Sequence, residues 1–171
     1  DADHSIRPNY ATNRTDNGDF TKAAAAKLGV TPEQRPWLFV VKKNKTVLER
    51  LQGWIRNRVA DYTEPATGRK IVTNLPILII DDESDHGSVD TGEDVVDENG
   101  KPDLEHQPTT INRLIRSILN HFARSAYVGY TATPFANIFI HDKGTTEEHG
   151  PDLFPSAFIT NLAAPSNYIG P

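Results

Sequence analysis

Three short, unbroken apolar runs punctuate the chain, at residues 37–41, 77–80 and 126–130. Runs of this length predict parallel strands buried on both faces. Between the first two, Leu48, Leu51, Ile55 and Val59 recur at spacings of three and four, with Arg50, Arg56 and Arg58 on other faces. That spacing predicts an amphipathic helix. Ile111, Leu114, Ile115, Ile118, Leu119 and Phe122 predict a second one, with Thr109 or Thr110 as N-cap. An Ala-rich stretch over residues 20–28 predicts a short helix, with Gly29 placed to end it. The polar residues 1–18 read as loop, and residues 62–74 as a connection. Residues 84–108 form a long acidic loop with almost no apolar side chains, so little offsets the entropy of ordering it. Residues 143–151 read as a second polar loop, and residues 158–162 as a late strand.

Strand, helix, strand, helix, strand is the order of a parallel α/β sheet with right-handed crossovers. Ligands of such sheets collect at the carboxyl ends of the strands. Two polar clusters fall there. Asp82-Glu83-Ser84-Asp85-His86 follows the second strand, and Thr131-Ala132-Thr133-Pro134 follows the third. Adjacent carboxylates suit nucleotide hydrolysis: one holds magnesium through its water shell, and the next orients or deprotonates the attacking water. The two threonine hydroxyls can bond those carboxylates or sense a phosphate. Taken singly, each cluster also fits a bland reading, as acids solvating a strand end or as a turn stopped by proline.

The composition narrows the field. A chain of 171 residues can bury one α/β core. It has no Cys, which excludes disulfides and thiolate metal sites, and no apolar stretch long enough to cross a bilayer. The polar start does not resemble a signal peptide, the absence of Met even at position 1 makes an internal piece of a longer protein the expectation, and the lack of Cys agrees with a cytoplasmic setting. The net charge is -5, yet eleven acids and one base lie between Asp81 and Glu105, so the rest of the chain carries a basic surplus on which a polyanion could sit. The six His lack paired zinc spacing, and there is no Gly-x-Ser-x-Gly for acyl transfer. No strand bears the Asp-x-Lys or Glu-x-Lys that common metal-dependent nucleases use.

The two clusters in this order resemble motifs II and III of superfamily-two helicases. The surrounding residues, Leu78-Ile79-Ile80-Asp81-Asp82-Glu83-Ser84-Asp85-His86, Ile111-Asn112-Arg113-Leu114-Ile115 and Ala126-Tyr127-Val128-Gly129-Tyr130-Thr131-Ala132-Thr133-Pro134-Phe135-Ala136-Asn137-Ile138, are similar to the Z-one domain (letter Z, numeral one) of bacterial endonucleases and helicase-like defence proteins. The likeness runs over roughly residues 35 to 171. It implies a three-layer α/β/α fold with a mainly parallel sheet, of the RecA-like P-loop NTPase type. Residues 1–34 would then be a polar segment with a short helix, residues 35–141 the motor core, and residues 142–171 an extension toward the next domain.

By the same resemblance Asp82 is the magnesium-side carboxylate and Glu83 the catalytic one. Asp85, His86, Thr131 and Thr133 couple hydrolysis to movement, and Lys42, Lys43 and Asn44 touch the nucleic-acid backbone. ATP and Mg2+ are the implied cofactors. DNA and the remaining motor and nuclease domains are the implied partners, in a restriction or defence enzyme. The strand at 77–81 is expected between residues 38–41 and residues 126–130. One departure is clear: no Gly-rich loop ending in Gly-Lys-Ser/Thr is present. The sheet is therefore expected to lack its phosphate-loop strand. The 171 residues alone are expected not to hydrolyse ATP, and the third strand is expected to be an exposed edge open to a second copy or to another segment such as residues 158–162. A non-catalytic α/β interaction module that keeps these motifs for structure is the alternative.

Overall fold

A computed structural model describes residues 7–13, 19–32, 34–86, 88, 110–133, 153 and 155–163. In chain order the elements are β1 (Asn9–Tyr10), α1 (Lys22–Lys27), β2 (Trp37–Leu38), α2 (Lys45–Trp54), a π-helical turn (Ile55–Val59), β3 (Tyr62–Thr63), β4 (Lys70–Ile71), β5 (Ile77–Asp81), α3 (Thr110–Asn120) and β6 (Ser125–Gly129). The class is mixed α/β. β5 and β6 pair in parallel, β1 and β2 pair in parallel, and β3 and β4 form an antiparallel hairpin.

The helices form where their caps and apolar faces agree. The Thr21 hydroxyl accepts from Ala24 N and opens α1, an Ala-rich turn and a half. Leu28 is already extended, so α1 closes one residue before Gly29. The Asn44 side chain accepts from Val47 N at 3.0 Å and opens α2. The periodic stretch at 48–59 is one α-helix followed by a wider turn, in which Ala60 N reaches back five residues to Ile55 O at 2.9 Å. Trp54 and Ile55, at the junction, are both buried.

Phe20 meets Phe39 and Trp54 edge-on and those two rings are tilted at 45° to each other, all with ring centroids 5.4–5.6 Å apart. Phe20 is 0% exposed, so the segment at 1–34 read from sequence as polar supplies the most buried aromatic side chain among the described residues. α3 lies against α2 with Ile115 and Ile118 buried, and Leu114, Leu119 and Phe122 pack around them. Gln52 Nε2 donates to Ser117 Oγ across the two helices.

Several expectations are corrected. Residues 1–18 contain a strand, since Asn9 and Tyr10 pair with Trp37 and Leu38. The connection at 62–74 contains the β3–β4 hairpin. The ladder of β2 stops at Leu38, and the next free amide, Val40 N, is taken by the Thr12 hydroxyl at 2.8 Å. Residues 38–41 consequently form no ladder with β5, whose strand partner among the described residues is β6. Nor are the sheet strands covered on both faces by described elements: Ile77, Ile79 and Asp81 turn toward the helices, while Leu78 is 58% and Ile80 63% exposed. Residues 158–162 are exposed and not a strand. Of the acidic loop expected at 84–108, only residues 84–86 and 88 are described; Ser88 is buried and its carbonyl accepts from Asn112 Nδ2 at 2.7 Å. Residues 143–151 lie outside the described residues. No helix among the described residues is long and apolar enough to cross a membrane.

Candidate functional site at the carboxyl ends of β5 and β6

The parallel register pairs Ile77 with Ser125 and Asp81 with Gly129, so both strands end at the same sheet edge. Pairing continues past the strands. Tyr130 N donates to Asp81 O at 2.8 Å, and Ser84 N donates to Tyr130 O at 2.9 Å. Gly129 permits this closeness. A Cβ there would stand 2.8 Å from Ser84 Oγ and 3.1 Å from Ser84 Cβ, and Ser84 is buried with little room to retreat. The two polar clusters, some 45 residues apart in the chain, thus become one site.

Asp85 joins them. Thr131 Oγ1 donates to one carboxylate oxygen at 2.8 Å and Thr133 Oγ1 to the other at 2.5 Å, while Thr133 N donates to Thr131 Oγ1 at 3.0 Å. These bonds favour the ionised form. Thr133 first, then Thr131, hold the Asp85 carboxyl below its usual value against an opposing effect of burial, and the charge of His86 adds in the same direction. A depressed carboxyl contributes stability that is complete above its ordinary pKa and is lost as pH falls through the lower folded value. Replacing both threonines by valine is therefore expected to raise the Asp85 titration toward an ordinary carboxylate and to remove this group's share of the stability lost in acid. Carboxyl carbon shifts followed by NMR titration check this; an unmoved midpoint would contradict it.

Asp81, which ends β5, is buried and doubly held. Lys43 Nζ lies 3.0 Å from Oδ1, and Tyr127 OH donates to Oδ2 at 2.8 Å. Burial, then the bond to Asp81 and its charge, push the Tyr127 phenol well above its ordinary range, so it remains a donor at any ordinary pH. Lys43 also donates to the carbonyls of Asp82 at 2.9 Å and Glu83 at 2.6 Å. Beyond Asp81 the chain turns sharply, with Glu83 at φ 51° and His86 N donating to Glu83 O at 2.9 Å. Asp82 accepts from Glu83 N at 3.1 Å.

The side chains of Asp82, Glu83 and His86 are exposed at this edge. Of the three residues read as backbone-contacting, Lys42 is exposed, with its amide toward Asp19 Oδ2 at 3.4 Å. Lys43 turns into the site, and Asn44 caps α2. Sequence reasoning passed over Asp81, Tyr127 and Gly129. The only signal for them was the strand pattern itself, which marks alternate positions as inward without marking a polar one as engaged. Comparison with protein-family models, with curated proteins and with solved structures finds no match to this chain.

Proposed function

We propose that this chain carries the hydrolysis and coupling motifs of an ATP-driven nucleic-acid motor of the superfamily-two helicase type, resembling the Z-one domain of bacterial endonucleases and helicase-like defence proteins. The observation that carries this reading is the double bond of Thr131 and Thr133 to the Asp85 carboxylate, which ties the acidic cluster to the threonine cluster across adjacent parallel strands. A link of that kind can pass a change at the nucleotide to the neighbouring strand. The proposed fold is a three-layer RecA-like domain. Its support is the apolar outer face of β5, where Leu78 and Ile80 await a covering layer.

In this reading Glu83 orients the attacking water and accepts its proton, from an exposed position at the strand end. Magnesium takes one or two protein carboxylates and completes its shell with water and phosphate. Asp82, exposed beside Glu83, offers such a carboxylate. When bound, the ion would neutralise phosphate charge. The sequence has no Gly-Lys-Ser/Thr loop, so the phosphate-binding loop is proposed to come from a segment outside the 171 residues. The proposed polymer is DNA, with Lys42 among the cations turned outward. The nuclease chemistry of a restriction or defence enzyme would reside in other domains of the same protein.

Coupling is tested by the pair Thr131→Val and Thr133→Val in a polypeptide that includes the phosphate loop. Basal hydrolysis is expected to persist while stimulation by polynucleotide falls, on the order of tenfold. Stimulation equal to that of the unaltered protein would remove the coupling role.

A further inference from the structure

We propose that Lys43 is a positioning residue that holds Glu83 in a left-handed turn, so that its ammonium serves the hydrolytic carboxylate and not a nucleic-acid phosphate. This rests on the reading of Glu83 as the hydrolytic group. An ammonium has three donors. Those of Lys43 meet Asp81 Oδ1, Asp82 O and Glu83 O at 3.0, 2.9 and 2.6 Å, which leaves none for a phosphate.

Two successive carbonyls facing one cation require the chain to curl around it. The curl is recorded in Glu83, the one non-glycine residue with positive φ among the described residues. Glutamate has no special preference for that region, unlike asparagine or aspartate, so the conformation persists only where its surroundings over-determine it. Two of the restraints are local, the bonds from Glu83 N to Asp82 and from His86 N to Glu83 O. From outside the turn, Ser84 N is held by Tyr130 O and Asp85 by the two threonines, and Lys43, forty residues away in sequence, is the outside restraint on the Glu83 carbonyl itself.

The lysine is itself anchored. Asn44 beside it caps α2, and Tyr127 fixes the far oxygen of Asp81. Removing the ammonium releases the Glu83 carbonyl while Ser84 and Asp85 stay held, so the peptide at Glu83 can leave the left-handed region and swing the Glu83 carboxylate. Displacement of a reacting group by about 1 Å costs on the order of a hundredfold in rate.

Two measurements test this. In the 171-residue chain, the backbone carbon shifts of Glu83 are expected to report a left-handed residue, to lose that signature in Lys43→Gln and to keep it in Lys43→Arg. The Lys43 ammonium of the unaltered chain is expected to give a resolved, exchange-protected NMR signal, a readout that needs no variant to fold. In a polypeptide that also holds the phosphate loop, Lys43→Gln is expected to lower kcat by about tenfold to a hundredfold, with KM for ATP and the half-saturating polynucleotide concentration unchanged. Lys43→Arg should recover much of the rate.

Unaltered Glu83 shifts in Lys43→Gln, or a rapidly exchanging ammonium, would overturn the proposal. So would an intact kcat with a raised half-saturating polynucleotide concentration, the mark of a phosphate contact. Hydrolysis that survives Glu83→Gln defeats the hydrolytic reading and the positioning role together. Hydrolysis lost in Glu83→Gln but untouched in Lys43→Gln defeats the positioning role alone.

Discussion

Glu83→Gln is expected to abolish ATP hydrolysis by a polypeptide containing this chain and the phosphate loop, with a loss of about 10²–10⁴-fold in kcat. Glutamine keeps the volume and one acceptor oxygen but cannot take the proton of the attacking water. Glu83 is exposed and its backbone bonds run through N and O, so the turn should survive the change. Affinity for ATP is accordingly expected to stay within about twofold, because the lost interaction belongs to the transition state. Steady-state kinetics with an equilibrium binding measurement separate the two. A variant that still turns over at the original rate would take the proton acceptor away from Glu83.

Phe20→Ala is expected to cost about 3–5 kcal/mol of stability, a large share of the ~5–15 kcal/mol that a domain of this size possesses. The side chain is fully buried, and its ring meets Phe39 and Trp54 edge-on. Its carbonyl also accepts from Arg50 Nη1 at 2.7 Å, which ties the segment before α1 to α2. Truncation therefore opens a cavity where the amino-terminal segment and α2 meet. Leu162→Ser, at a site 74% exposed, should shift stability by no more than about 0.5 kcal/mol. Chemical denaturation of both variants measures the contrast. Equal midpoints would mean that the segment carrying Phe20 packs elsewhere in solution.

The parts of the fold legible in the sequence are those specified locally. β5 and β6 follow from runs of adjacent apolar residues, and α3 from apolar residues repeating at helical spacing around Ile115 and Ile118. The clusters after β5 and β6 could be placed at one edge because parallel strands joined by one helix must end together. Two-residue ladders were not legible. Tyr62 and Thr63 pair with Ile71 and Lys70 through backbone atoms, and three of those four side chains are exposed, so no apolar pattern marks them.

The environment of the acidic cluster was illegible for a different reason. Asp81 reads as one more acid in an acidic stretch, and only the approach of Lys43 and Tyr127 makes it a buried, paired one. Those contacts close over long sequence separations, and hydrophobic periodicity carries no information about them. The exposure of Leu78 and Ile80 shows the converse limit. An apolar run states that both faces of a strand can be buried, but not which elements cover them.

The central claim is most directly tested by ATP turnover in a polypeptide that joins this chain to a phosphate-binding loop, measured with magnesium in the presence and absence of DNA. Hydrolysis is expected, with stimulation by DNA on the order of tenfold or more. No hydrolysis above background, with ATP shown to be bound, would contradict the reading of Asp82, Glu83 and Asp85 as motor chemistry.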